Sequence, residues 1–178
     1  MVKLSKKQQR EAAIKAEIEK REKEKLEKSP ISKHEYVDLY RFVGKHIVEN
    51  GHSHDYTAVK GWCSKNAVDF RAVSAFFDFL GIKDDWALLV DGDPYSLFGA
   101  DSNTTVWMPL SEDELNELLD FLDEELQTKG CDHTMALTET WLSQTKLDKS
   151  EVIAALWANG GFCDCEVTYN VEPEGILI

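Results

Sequence analysis

The sequence predicts an α+β protein in which a charged N-terminal helix precedes two tandem units, each of three helices followed by a strand. Two observations predict this class. The chain repeats itself at a fixed spacing, and each repeat combines helix-capping residues with a short apolar run typical of a buried strand. Because one strand cannot form a sheet alone, we expect the two strands to pair in a small antiparallel sheet. The two units would then pack with pseudo-twofold symmetry.

The internal repeat has an offset of 79 residues. Residues 32–94 align without a gap with residues 111–173, and 14 of the 63 aligned positions are identical. Ordinary residue frequencies would give roughly four identities by chance. The identities fall on helix caps, core faces and helix stops, so we interpret the pattern as a duplication. The expected domains are an N-terminal helix over 1–30, a first repeat over 31–109 and a second repeat over 110–178.

The first 28 residues are highly charged and contain neither proline nor glycine. They hold ten Lys and Arg against six Glu, a net charge of +4, whereas residues 29–178 carry −17. Several glutamates stand four positions before a basic residue, which favours a helix over 4–28 that ends before Pro30. Ile14 and Ile18 are not continued by a heptad pattern, so a coiled coil is not expected.

Capping residues define the helices of the first repeat. Ser32 opens a capping box, and the helix that follows should stop before Gly51. A second helix is predicted over about 54–66. Asp69 caps a third helix, and Gly81 fits the position that ends it.

The second repeat follows the same plan. Ser111 opens another capping box, and its helix should end before Gly130. A further helix is predicted from about His133, and another is capped by Asp148 and stopped by Gly160.

Short apolar runs give the expected strands. Trp86–Val90 reads as a buried strand in the first repeat, and residues 165–171 read as its counterpart in the second. Further short strands are expected near Tyr95–Phe98 and Thr104–Met108, after a turn at Asp91–Pro94.

Three of the four cysteines and one histidine form two short pairs in the second repeat. Cys131 and His133 follow a helix-ending glycine, and Cys163 and Cys165 follow Gly160-Gly161. Residues two apart in an extended segment point the same way, so each pair offers two ligands to one ion. Three thiolates and an imidazole suit tetrahedral zinc, and four protein ligands indicate a structural ion. Buried free thiols and a redox disulfide are the alternatives.

Three acidic residues lie between or beside these ligands: Asp132, Asp164 and Glu166. They could serve as a general base. Acids in such positions more often orient the ligands from outside the coordination shell or face solvent.

The first repeat contains an altered copy of this set of ligands. His52 and His54 replace the first ligand pair, Asp84 replaces the third ligand, and Trp86 stands in place of the fourth. His52, His54 and Asp84 could form an open three-ligand site of the catalytic type. The simpler interpretation is that Trp86 fills the space with core, and that Cys63, which has no partner cysteine, is also a core residue.

The motifs of the second repeat resemble those of a small bacterial family known only as a domain of unknown function. The resemblance rests on Cys131–Thr134 and on Gly160–Val167, and it covers about residues 110–173. It implies no activity, because none is established for the family. The first repeat departs from the pattern at three of the four ligand positions. The residues that the resemblance implies as ligands are Cys131, His133, Cys163 and Cys165.

Composition excludes several classes of protein. No apolar run is long enough to span a membrane, and the charged N-terminus lacks the apolar segment of a secretory signal, so a cytoplasmic location is expected. Phosphate-binding glycine loops and the Gly-x-Ser-x-Gly nucleophile motif are absent. The acidic body should repel nucleic acid, although the basic tail over 1–28 could contact it.

We therefore expect a non-enzymatic interaction or regulatory module with a structural zinc ion and a protein partner. One alternative is a metal-dependent hydrolase with an open site at His52, His54 and Asp84. The other is an acidic inhibitor of the immunity type, which would mask a basic surface on its partner.

Overall fold

The structure is a computed structural model that describes residues 6–98 and 108–171. Within these ranges all regular secondary structure is helical. The helices are α1 (Lys6–Lys28), α2 (Lys33–Asn50), α3 (Thr57–Asn66), α4 (Phe70–Leu80), α5 (Asp85–Asp91), α6 (Pro94–Phe98), α7 (Glu112–Lys129), α8 (Ala136–Leu142), α9 (Lys149–Ala158) and α10 (Asp164–Asn170). None of the helices in these ranges is long and apolar enough to cross a membrane.

The predicted α+β class is wrong, because the described residues form no strand and no sheet. The run Trp86–Val90 lies in α5, the run 165–171 lies mostly in α10, and Tyr95–Phe98 lies in α6. Of the strand expected at Thr104–Met108, all but the last residue falls outside the described residues.

Local capping explains why the run Trp86–Val90 is a helix. Asp84 accepts a hydrogen bond from the Ala87 amide at 2.7 Å, and its carbonyl accepts the Leu88 amide at 3.0 Å, which starts α5. α10 starts without a side-chain cap: the Cys163 carbonyl accepts the Val167 amide at 3.0 Å, but the Cys163 side chain makes no capping hydrogen bond. A short apolar run cannot distinguish a buried strand from a buried helix, so the preceding cap decides.

The predicted helix starts and stops are confirmed where the sequence carried a capping signal. Ser32 and Ser111 both form complete capping boxes. Asp69 and Asp148 cap α4 and α9 through their side chains. Gly81 adopts φ 81°, the left-handed conformation expected of a helix-ending glycine.

Four helices of the second half begin 79 residues after four helices of the first half: α7 after α2, α8 after α3, α9 after α4, and α10 after α5. The packing between the halves does not follow the expected pseudo-twofold symmetry. The largest helix interface joins α2 to α9, whereas α7 and α4, which symmetry would pair in the same way, share no comparable interface in the described residues.

Each half has its own apolar core. The first core is centred on fully buried residues of α2, α3 and α4, such as Tyr36, Trp62 and Phe77, and the second on the leucines of α7 with Val152 and Leu156 of α9. The two cores meet where α9 lies on α2.

Close approach and charge pairing hold the α2–α9 interface. A Cβ atom added at Gly44 of α2 would lie 3.1 Å from the Cβ of Ala154 in α9, so the two helix backbones pack closely. Lys45 of α2 donates to Asp148 at 2.7 Å, at the start of α9. The two halves are therefore one packed body joined through this pair of helices.

The N-terminal helix α1 is mostly exposed, and its main neighbour is the short helix α6. Ile14 and Ile18 are 61% and 50% exposed. The predicted glutamate-first ion pairs occur at Glu17–Arg21 and Glu24–Lys28, with N–O distances of 3.2 and 2.8 Å. Ion pairs on an exposed helix surface contribute little to stability, so α1 gains little from its own surface.

Candidate metal centre

The four predicted ligands of the second half come together in one corner of the molecule. Cys131 and His133 lie in the loop between α7 and α8, Cys163 is the N-cap of α10, and Cys165 lies in its first turn. One ligand atom from each of the four residues lies within 4.8 Å of all the others. Among the described residues this is the only group of three or more such side chains that could hold a metal ion.

The loop between α7 and α8 has the backbone shape that turns its two ligands inward. Gly130 ends α7 with φ 72°, a left-handed conformation that suits glycine. His133 also has a positive φ, 62°, and its amide donates to the Cys131 sulfur at 3.3 Å. Asp132 accepts the amide and hydroxyl of Thr134 at 3.0 and 2.6 Å, which closes the turn. The loop is thus shaped by its own hydrogen bonds.

Asp164 joins this loop to the start of α10. Its carboxylate is 2% exposed and accepts the amides of Leu137 and Thr138 at 2.9 and 3.0 Å, together with the Thr138 hydroxyl at 2.7 Å. Its own amide donates to the Thr134 carbonyl at 2.9 Å. Asp164 therefore caps α8 and holds the two ligand-bearing segments side by side, because it stands between Cys163 and Cys165 in the chain.

The sulfur atoms interact directly with one another. The Cys163 and Cys165 sulfurs are 3.4 Å apart, and Cys163 is buried while His133 is exposed. Burial raises the pKa of Cys131, but hydrogen bonds from the backbone amides of Cys165 and His133 outweigh burial and lower it overall. Hydrogen bonding with Cys131 and Cys163 raises the pKa of Cys165 to about 12. The three thiols form a compact set of soft donors.

The other two acidic residues hydrogen-bond to the backbone beside the ligands. Asp132 caps the turn described above, and Glu166 accepts the Phe162 amide at 3.1 Å. All three acids therefore bond to backbone groups of the ligand-bearing segments. Their arrangement fits support of the loops better than the role of a general base.

The corresponding corner of the first half has a different construction. The His54 Nδ1 atom lies 3.6 Å from Asp84 Oδ2, but His54 is 82% exposed and Asp84 is engaged as the N-cap of α5. His52 packs against Trp86, with ring centroids 5.2 Å apart. His52, His54 and Asp84 do not form a group close enough to hold a metal ion.

Trp86 occupies the position that corresponds to the ligand Cys165, and it connects the two halves. Its ring contacts Trp157 of α9 at 5.9 Å and Phe162 at 5.8 Å between centroids. Phe162 directly precedes the ligand Cys163. Aromatic packing therefore fills the first corner and reaches the edge of the second.

Sequence reasoning missed the role of two buried aspartates. Asp85 accepts the amides of Ala58 and Val59 at 2.6 and 3.1 Å, as Asp164 does for α8. Asp85 and Asp164 are identical residues at the 79-residue offset, and that identity was the available signal. Neither residue caps its own helix in the usual way, so the helix that each one caps could not be recognised without the fold.

The comparisons with known proteins match the part of the chain that carries the four candidate ligands. The family model described as "Protein of unknown function (DUF2695)" matches residues 118–170, a range that contains all four candidate ligands. The chain is 38% identical over 73 residues to uncharacterized proteins of Mycobacterium tuberculosis (Rv2271) and Mycobacterium bovis (Mb2294), which covers 41% of this chain and 74% of each relative. No solved structure matches the chain. Because the chain is 38% identical to these relatives over 74% of their length and contains the matched family region, it belongs to the DUF2695 family of proteins of unknown function.

Proposed function

We propose that this protein is a non-enzymatic interaction module whose second half is held together by a structural zinc ion. Cys131, His133, Cys163 and Cys165 would supply the four ligands. The observation that carries the proposal is their convergence, with all four ligand atoms within 4.8 Å of one another.

The distances and the donor types both favour zinc. In a tetrahedral site with Zn–S bonds of about 2.3 Å, the sulfurs lie about 3.8 Å apart. The Cys163–Cys165 separation of 3.4 Å is close to that value, so only small adjustments are needed. Three thiolates and an imidazole suit zinc and disfavour hard cations such as magnesium and calcium, which take oxygen ligands.

A structural role follows from the number of ligands. A catalytic zinc normally keeps one position for water, whereas here four protein groups complete the tetrahedron. The ion would join the α7–α8 loop to the start of α10, the same two segments that Asp164 joins by hydrogen bonds. The helix starts shared at the 79-residue offset support a duplicated origin, in which the first half retains the arrangement without the ligands.

The surface supports an interaction role and offers little for catalysis. The alternative hydrolase site at His52, His54 and Asp84 is not favoured, because Asp84 caps α5 and His52 packs on Trp86. The charge of −17 over residues 29–178 favours protein partners with basic surfaces and disfavours nucleic acid.

Metal analysis of the purified protein tests this proposal. We expect one zinc ion per chain, and we expect its removal by a chelator to unfold the second half, because structural zinc contributes on the order of 10 kcal/mol to folding. The informative variant is Cys163→Ser, which should lose both the ion and the stability it provides. The matched control is Cys63→Ala, which removes a buried thiol outside the site and should keep the ion.

Two results would contradict the proposal. One is a wild-type protein that contains no zinc after purification and binds none when zinc is added. The other is a Cys163→Ser variant that keeps both its zinc and its resistance to unfolding. Two zinc ions per chain, with one lost in a His52→Ala variant, would instead favour the hydrolase.

A further inference from the structure

The exposed N-terminal helix presents an apolar pair between basic residues. Ile14 is 61% exposed and Ile18 is 50% exposed, and they lie one turn apart on α1. On the same face, Arg10 lies one turn before Ile14 and Arg21 lies about one turn after Ile18, and both are exposed. The two arginines are 11 residues apart, which spans about 16 Å along a helix.

Helix α7 presents a complementary face on the opposite side from its core. Its 18 residues include eight acids, and Lys129 is its only basic residue. Asp113, Glu117, Asp120 and Glu124 are all exposed and form one stripe at helical spacing. Asp113 and Glu124 are also 11 residues apart, so the ends of this stripe match the separation of the two arginines.

An apolar side chain borders the acidic stripe. Phe121 is partly buried against the second core and lies one turn from both Glu117 and Glu124. It offers a contact for the isoleucine pair of α1. Charge and apolar surface thus match in position as well as in kind.

From this match we infer that α1 docks on the acidic face of α7 in a second copy of the same chain, and that two copies exchange their α1 helices reciprocally. Each copy carries both surfaces, so the exchange closes a twofold dimer with two identical contacts. An α1 helix that is exposed on its own is only marginally stable in water, and docking would cover its apolar pair. This inference does not depend on the zinc proposal.

The second copy is the occupant that the charges favour. Residues 1–28 carry +4 and the remainder −17, so the arm of one copy is attracted to the body of another, and this local attraction must outweigh the repulsion between two chains of net charge −13. Nucleic acid fits less well, because glutamates are interspersed along α1 and the adjoining body repels phosphates. One helix face gives a small interface of the transient class, so the dimer should be weak and sensitive to salt.

The test is sedimentation equilibrium of the full-length purified protein with charge-reversal variants. Wild type should dimerise at about 50 mM salt and dissociate at about 0.5 M salt, where charges are screened beyond about 4 Å. Arg10→Glu with Arg21→Glu should weaken the dimer by at least about tenfold, and so should Asp113→Lys with Glu124→Lys. When these two variants are mixed, both contacts again join opposite charges, so the mixture should recover the dimer.

The control for a general charge effect is Arg71→Glu with Lys83→Glu on exposed residues of the body. It changes the net charge by the same amount as Arg10→Glu with Arg21→Glu. This control should dimerise like wild type. Helical content by circular dichroism and zinc content, measured for each variant, separate docking from folding and from the metal site. A wild-type monomer at low salt, equal weakening by the control, or a mixture that stays monomeric would each overturn the inference.

Discussion

Asp164 is the residue whose loss should most clearly reveal how the metal corner is held together. The Asp164→Ala change removes a buried acceptor of three hydrogen bonds, two from backbone amides at 2.9 and 3.0 Å and one from a hydroxyl at 2.7 Å. Hydrogen bonds to a charged group contribute about 1.5–3 kcal/mol each, and partial rehydration of the donors recovers some of that. We therefore expect a loss of about 3–5 kcal/mol in the free energy of unfolding.

The measurement is urea unfolding of the purified protein, monitored by far-UV circular dichroism. Asp164→Asn keeps one carbonyl oxygen as an acceptor and should lose about half as much. The matched control is Asp132→Ala in the same loop, which also removes an acceptor of two hydrogen bonds but is exposed. Water replaces those bonds, so the control should lose far less stability than Asp164→Ala.

The capping argument fails if Asp164→Ala costs no more stability than Asp132→Ala. Measuring zinc content alongside unfolding adds a second criterion. If Asp164→Ala also releases zinc, the loss of stability should exceed about 5 kcal/mol, because the contribution of the metal to folding is lost as well.

Three further predictions concern packing, pH and metal binding. Gly44→Ala should destabilise the protein by about 1–2 kcal/mol, because the new Cβ lies 3.1 Å from the Cβ of Ala154. The control Gly61→Ala, at an exposed position in the middle of α3, should stabilise the protein by about 0.5–1 kcal/mol. Equal shifts of the two variants in thermal denaturation would contradict this prediction. Burial raises the pKa of Asp85, so the stability contributed by its protonated form should be lost as pH rises from about 4 through that raised pKa. Asp85→Asn should lack this loss, so urea unfolding at several pH values should show the stability difference between the two proteins moving in favour of the variant as pH rises. A constant difference would refute the reasoning. His133→Ala should lower the zinc affinity at least about tenfold in a chelator competition. The zinc affinity of wild type should fall on acidification, because the ligands must be deprotonated to bind the ion. A zinc affinity that does not change with pH would rule out thiolate and imidazole ligands.

The sequence was most informative where a side chain has a strictly local role. Ser32, Asp69, Ser111 and Asp148 each bond to an amide within the next three residues, so the sequence alone identifies four helix starts. The strand at Trp86–Val90 was wrong for the converse reason. An apolar run of five residues is buried in either conformation, and the helix depends on a cap that the pattern does not weigh.

The candidate site shows the same division between local and distant information. The spacing of the cysteines and the histidine predicts two ligand pairs, Cys131 with His133 and Cys163 with Cys165. The structure brings these two pairs together. The link made by Asp164 could not be predicted, because its partners lie 26 and 27 residues away and are backbone amides without a side-chain signature. The packing of α9 on α2 was missed because nothing in either helix specifies the other.

Trp86 gives the two halves different requirements for completing their folding. In the first half, His52 packs on Trp86 at the corresponding position, a contact that needs no ion. In the zinc proposal, the second half completes its folding only when a zinc ion binds. Because α9 rests on α2 and Phe162 rests on Trp86, the finished first half offers a template on which the unfinished metal corner can be assembled.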